Sequence, residues 1–274
     1  MNLWRVYSRE MLMKKIFVCI ICSLVLISCK KNASGPFGPA TVNSVTFLAG
    51  NSNSYVLTLK DSVGTTATSR SDSFSVRVTS TQEVLGNYKN LILLEATKLN
   101  SNITLEKVWY KSEKDSLVEL AYQFLDYNVP TVFPKSGVTS VSGSLLFLPQ
   151  TIKMFLNHNA KLDSLRWRDD VRIVYKFPLT KGQKWISFSS PFVQTREVIG
   201  EELVHVRAGS FSCMKIKSTI GSLSSDSLEF YDYVSQDGLI LRTLHMKGVV
   251  TTEKNPVGGA IYIVDERLEL ISKK

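Results

Sequence analysis

A chain of 274 residues with 44% hydrophobic, 10% aromatic and 21% charged side chains has the composition of a folded protein and excludes a disordered one. The length allows one large or two small domains and a core that needs neither disulfide nor metal. The net charge of +9 comes from scattered basic residues, which argues against nucleic acid as the partner.

In chain order, residues 1–12 read as an extension ahead of a natural start at Met13. Met13-Lys14-Lys15 is followed by residues 16–28, "IFVCIICSLVLIS", which carry no charge. A positive n-region and an apolar run this short describe a secretory leader, because a ~30 Å hydrocarbon core needs about 20 residues to cross. The bland alternative is an uncleaved membrane anchor. Leu26-Ile27-Ser28-Cys29 at the end of the run resembles the lipobox of bacterial lipoproteins. The resemblance implies cleavage before Cys29 and acylation of that residue with chains such as palmitate. Each buried lipid CH₂ contributes about 0.8 kcal/mol, so several chains on one cysteine hold a soluble domain on a bilayer. The domain is then expected outside the cytoplasm, in the cell envelope and at the outer membrane before the inner one.

Cysteine usage agrees. Cys19 and Cys22 leave with the leader, so their C-x-x-C spacing carries no redox or metal meaning. Cys213 is left alone in the mature body, where a small hydrophobe in a strand is the expected role. Cleavage removes four basic and one acidic residue and leaves a net charge of +6, a mild excess suited to an anionic membrane surface or an acidic polymer.

Residues 29–43 read as the lipidated cysteine and a flexible tether. Gly35, Pro36, Gly38 and Pro39 punctuate it, and from Cys29 to Ala40 it reaches at most about 35 Å. From residue 44 the pattern changes to period 2, starting with Val45 and Phe47. Tyr55, Leu57 and Leu59 follow, then Phe74, Val76 and Val78 in "SFSVRVTS". "LILLEATKL", "ITLEKVWYK", "VRIVYKFPL", "KWISFSS", "EELVHVRAG", "SCMKIKS", "LEFYDYV", "GLILRTLHM" and "AIYIVDERLELIS" continue it. Segments rich in Val, Ile, Thr, Tyr and Phe, parted by turn residues, predict antiparallel strands.

Asp-Ser before an apolar residue recurs at Asp61, Asp72, Asp115, Asp163 and Asp226, which suits the end of a turn. Asp237-Gly238 is the strongest hairpin signal. "SLVELAYQFL", 116–125, fits a helix through Ser116 and Glu119 at capping-box spacing. It also alternates, and reads as the second arm of a hairpin with "KVWYK". Residues 128–143 read as a long loop, and 150–166 as a short helix or irregular structure.

"KFPLTKGQKW", "VRAGSFSCMKIK" and "YDYVSQDGLILR" together resemble a pattern in uncharacterised exported β-rich bacterial proteins. The matching residues are Pro178, Leu179, Gly182, Trp185, Ala208, Gly209, Phe211, Tyr231, Gly238 and Leu239. The resemblance covers about 70 residues and implies one curved antiparallel sheet, as in lipoprotein-carrier half-barrels. It brings no activity.

Chemistry is sparse. Ser212-Cys213-Met214-Lys215 fits S-x-x-K, but on a strand residues three apart face opposite ways. His158, His205 and His245 are dispersed, with His205 expected in solvent. Asp169-Asp170, Glu201-Glu202 and Asp265-Glu266 are adjacent, which in a strand separates them by face. "LRWRDDVR", 165–172, reads as a hairpin tip with its aspartates neutralising Arg166 and Arg168, and less readily as a stacking site. No catalytic, metal or cofactor site follows, so neither enzyme nor cofactor is expected.

The expectation is an all-β, mainly antiparallel fold, as a curved sheet, half-barrel or sandwich: a leader at 1–28, a tether at 29–43 and a single β-domain at 44–274. The expected function is a membrane-anchored envelope lipoprotein of binding or maintenance type. Its partners would be the bilayer, through Cys29, and a lipid or other apolar ligand in the concavity. A concavity filled by the domain's own side chains would speak against that ligand. The competing readings are a glycan-binding or glycan-degrading protein, with Trp109, Trp167 or Trp185 exposed beside facing carboxylates, and a structural subunit of an envelope complex.

Overall fold

The computed structural model describes residues 41–63, 65–101, 103–125, 165–189, 193–221, 228–252 and 255–274. The leader, Cys29 with the rest of its lipobox, the tether up to residue 40, the loop at 128–143 and the segment 150–164 lie outside these residues, as does His158. The compact unit of the β-domain is Ala40–Lys274.

The described residues form twelve strands and no helix. They are β1 (Ser52–Val63), β2 (Thr66–Leu85), β3 (Tyr88–Lys98), β4 (Thr104–Ser112), β5 (Ser116–Phe124) and β6 (Leu165–Lys176). Then come β7 (Lys184–Phe188), β8 (Gln194–Val206), β9 (Gly209–Ile220), β10 (Leu228–Ser235), β11 (Gly238–Thr252) and β12 (Asn255–Lys273). One antiparallel sheet holds them all, in the order β6-β5-β4-β3-β2-β1-β12-β11-β10-β9-β8-β7. The two ends of the domain therefore pair with each other in mid-sheet, Leu57 opposite Leu268. From there the chain meanders outward in both directions until β6 and β7 meet.

That meeting nearly closes a barrel. β6 and β7 share no backbone ladder; side chains close the seam. Trp185 Nε1 donates to the Ile173 carbonyl at 3.2 Å, and Ser187 Oγ donates to the same oxygen at 2.8 Å. Arg196 Nη1 reaches over from β8 to the Val174 carbonyl at 2.7 Å. The exposed edge of a sheet invites pairing with another chain, and these bonds occupy that part of the β6 edge.

Cross-strand rows show what alternation buries. Ile216, Asp232, Arg242, Leu268 and Leu57 oppose one another in turn across β9, β10, β11, β12 and β1. They share the inner face, because directly paired residues do. The outer face holds its own small cluster, Leu91, Leu93, Trp109 and Ala121, which explains why "LILLEATKL" is apolar without alternating. The β8–β9 hairpin turns back toward β12: Ala208 N donates to Leu270 O at 3.3 Å and Arg207 N to Glu269 Oε1 at 2.9 Å.

Several local readings change. Asp61-Ser62 and Asp72-Ser73 lie within β1 and β2, not at turns; Asp72 instead pairs with Lys98 at 3.2 Å. Asp115-Ser116 does precede β5, and Asp237-Gly238 does turn β10 into β11, with Gly238 at φ 100° where a side chain would be strained. "SLVELAYQF" is a strand, paired with β4. "LRWRDDVR" lies inside β6 and is no hairpin tip. The stretch around Val45 and Phe47 is not a strand.

Candidate functional site

Residues 41–51 cross one end of the barrel as an irregular strap. Leu179 N donates to Val42 O at 2.9 Å, Thr46 N to Gln236 O at 3.1 Å, and Gly50 N to Val78 O at 2.8 Å. The strap is thus tied to the β6–β7 connection, to the β10–β11 turn and to β2. Val42, inside the stretch read as tether, is fully buried. Leu179 belongs to the Pro-Leu-x-x-Gly-x-x-Trp pattern, so that segment serves to seat the strap and then to start β7 at the seam.

Beneath the strap lies a cavity of about 450 Å³. Val45 and Phe47 of the strap, Val76 and Val78 of β2, Leu94 of β3 and Leu239 of β11 give it apolar walls. Asn51, Gln236, Asp237, Lys273 and Lys274 form a polar rim. Tyr55 and Tyr175 make the floor. Tyr55 Oη donates to the Leu239 carbonyl at 2.9 Å, and its ring stacks on Phe74. Burial raises its phenol to about 12; burial, followed by the charge of Asp232, pushes Tyr175 higher still.

Below that floor the barrel is filled by its own side chains, and many are charged. Asp232 is the centre. It accepts Arg242 Nε at 2.6 Å and Arg242 Nη2 at 3.0 Å, and it also accepts Arg196 Nη2. Asp232 and Arg242 are 0% exposed and Arg196 is 2% exposed. Burial works against the Arg242 charge, but Asp232, with Tyr175 and Glu266, outweighs it and holds the group above its ordinary value. Aromatic faces complete the cage. The Arg196 guanidinium lies 5.4 Å from the Tyr175 ring and 5.8 Å from Trp185, and Arg242 lies 5.3 Å from Phe230. A second buried pair, Arg172 and Glu119 at 3.7 Å, joins β6 to β5. Gln194 and Ser218 sit beside Arg196 on the inner face with side-chain atoms that bond no described residue, the kind of atom that ordered water satisfies.

The sequence candidates fall apart as a catalytic site. Ser212 donates to Glu201, whereas Lys215 pairs with Glu202 at 3.0 Å and lies over the Tyr231 and Tyr233 rings. His205 Nδ1 meets Ser210 Oγ at 2.7 Å, and His245 Nδ1 meets Asp265 Oδ1 at 2.7 Å, both on the exposed surface. Glu266, next to Asp265, is buried on the opposite face, as strand alternation requires. Cys213 is 0% exposed, and burial raises its thiol to about 12, which leaves no thiolate near neutrality. Among the described residues, no group of three or more His, Cys, Asp and Glu is placed to hold a metal.

Trp109 and Trp185 are buried, while Trp167 is 42% exposed against Tyr88, their rings 5.7 Å apart. Two of the three tryptophans named for a glycan cleft are therefore core residues. The buried Arg–Asp cluster and the strap are what sequence reasoning missed.

No family model and no curated protein matches the chain. Two crystal structures are similar to it. One is a candidate exported protein with a YmcC-like fold from Bacteroides fragilis NCTC 9343, at 10% identity and TM-score 0.42, with 85% of this chain and 99% of that chain covered. The other is a candidate lipoprotein from Parabacteroides distasonis ATCC 8503, at 14% identity and TM-score 0.34, with 86% and 100% covered.

Proposed function

We propose that the chain is a lipid-anchored envelope protein of non-catalytic binding type, and that its ligand site is the cavity under the strap. The concavity as a whole cannot take a lipid, because buried side chains from Tyr55 and Tyr175 downward fill it. The space left is small: about 450 Å³ stands near the lower end of the ~300–1,000 Å³ typical of small-molecule sites. Its walls are apolar and its rim polar, which fits one apolar chain or a compact apolar molecule entering tail first. The lipobox at Cys29 supports the address, since an acylated protein already works at a lipid surface.

The observation that carries the reading is that cavity. Native mass spectrometry of gently extracted protein tests it, together with Val76→Trp, which places an indole in the space. The expected result is an apolar adduct on the parent that the variant lacks, at equal secondary structure. An adduct retained by a folded Val76→Trp protein, or a bare parent, would defeat the reading. The same spectrum reports the mass added at Cys29.

A further inference from the structure

We infer that the strap end of the barrel rests on an anionic bilayer surface, so that the cavity mouth opens toward lipid. This rests on the reading of Cys29 as the acylated anchor, and it adds an orientation and a second, non-covalent membrane contact.

The length of chain before the domain decides which end is near the bilayer. Eleven residues lie between Cys29 and residue 41, where the strap begins. The twelve steps from Cys29 to residue 41 reach about 40 Å at most. β1 runs 12 residues from the strap end to the far end. At ~3.3 Å per residue and a tilt of ~35–45° that makes the barrel about 30 Å tall. A chain that joins the domain at the strap lets the strap end touch headgroups at any extension. It does not let the far end do so without stretching alongside the whole barrel.

Charge points the same way. The turns flanking the strap are residues 111–115, 176–184 and 236–237, together with 273–274. They hold seven lysines against three acidic residues. Lys111 pairs with Glu113 and Lys273 with Asp237, while Lys184 pairs with Glu197 outside these turns. Lys114, Lys176 and Lys181 are exposed and pair with no carboxylate among the described residues. Anionic headgroups are the complement of such a rim. Leu48, in the strap at the mouth of the cavity, is 56% exposed, an apolar contact of the size that seats at a headgroup boundary.

The test uses the full acylated chain on vesicles. A Leu48→Cys protein and a Thr65→Cys protein, the latter at the far-end β1–β2 turn, each carry an environment-sensitive fluorophore. Buried Cys213 and acylated Cys29 do not compete for the label. On phosphatidylglycerol-containing vesicles the residue-48 probe is expected to shift to the blue and to return in 0.5 M salt (roughly a 3–5 Å screening length), while the residue-65 probe stays water-like. Lys114→Glu with Lys181→Glu is expected to lower the docked-to-free ratio roughly 25-fold, at about fivefold per basic residue. Protein that sediments with vesicles while both probes stay water-like would overturn the docking and leave the anchor intact. A residue-65 probe that enters the lipid would reverse the orientation. Protein that does not sediment at all would overturn the anchor reading and this inference with it.

Discussion

Asp232→Asn is the sharpest perturbation the structure offers. The change is nearly isosteric, so it leaves packing alone and removes one negative charge. In the parent, that carboxylate answers two guanidinium groups at once, with Arg242 bound through two nitrogens and Arg196 through a third. All three residues are at most 2% exposed. Removing one partner of a buried pair costs about 3–5 kcal/mol, because the stranded charge keeps its desolvation penalty without its compensation. Here two cations are stranded, which places the expected loss at the upper end, about 4–5 kcal/mol. Glu266 stays near Arg242 and offsets part of it. Against a total stability of about 5–15 kcal/mol that is roughly a quarter or more. At roughly 2–4 °C per kcal/mol for a chain of this size, Tm should fall by about 10–15 °C. Urea unfolding followed by tryptophan fluorescence measures it, since Trp185 lies over Arg196. The control is Arg196→Met with Asp232→Leu and Arg242→Met, which removes all three charges together and, although it gives up the Arg196 bond to the Val174 carbonyl, is expected to lose less than the single variant. An Asp232→Asn protein within about 1 kcal/mol of the parent would show that the carboxylate does not hold the two guanidinium groups in the core. A triple variant as damaged as the single one would mean that shape and not stranded charge holds the core.

Three further outcomes follow from particular groups. Cys213, with its thiol near 12, should resist Ellman's reagent at pH 8 in the folded protein and react at once in urea; rapid labelling of native protein would contradict its burial. Tyr55 has a folded value of about 12 against an ordinary 10. A raised folded value means that the native state holds its proton more tightly, so the associated stability is complete below about pH 10 and is lost as the pH climbs toward 12. Tyr55→Phe should flatten that alkaline decline in a Tm-against-pH series, and an unchanged slope would count against it. Trp185→Phe keeps the ring over Arg196 but removes the bond to the Ile173 carbonyl; it should cost about 1 kcal/mol and speed amide exchange in β6 and β7 selectively, whereas uniform exchange would show that the seam is closed by something else.

How far the sequence could be read depends on which force fixed each feature. Strands were legible because period-2 patterning is local. "SLVELAYQF" shows the limit, since its capping-box spacing was overruled by pairing with β4 and β6 that no window of ten residues contains. The inner charges were illegible for a sharper reason. Alternation sets Asp232 in line with Leu228, Phe230 and Val234, but its partners Arg242 and Arg196 lie on other strands that the window "LEFYDYV" does not contain. Closing the sheet turns one face into an interior regardless of polarity. Residues on β8, β10 and β11 then pair with one another inside it. Alternation reports that two faces differ. It does not report which face is inside once a barrel has closed, and only the cross-strand register tells that Asp232 sits opposite Arg242. The strap was missed in the same way: Val45 and Phe47 have strand-like spacing, but their apolar side chains serve to roof a cavity at the barrel's end. A sequence search for more of this architecture should therefore look for a single Arg or Asp at the centre of otherwise apolar strands. Where such residues sum to near neutrality over the chain, a closed interior is the economical explanation, because an uncompensated charge there would cost more than the whole fold has to spare.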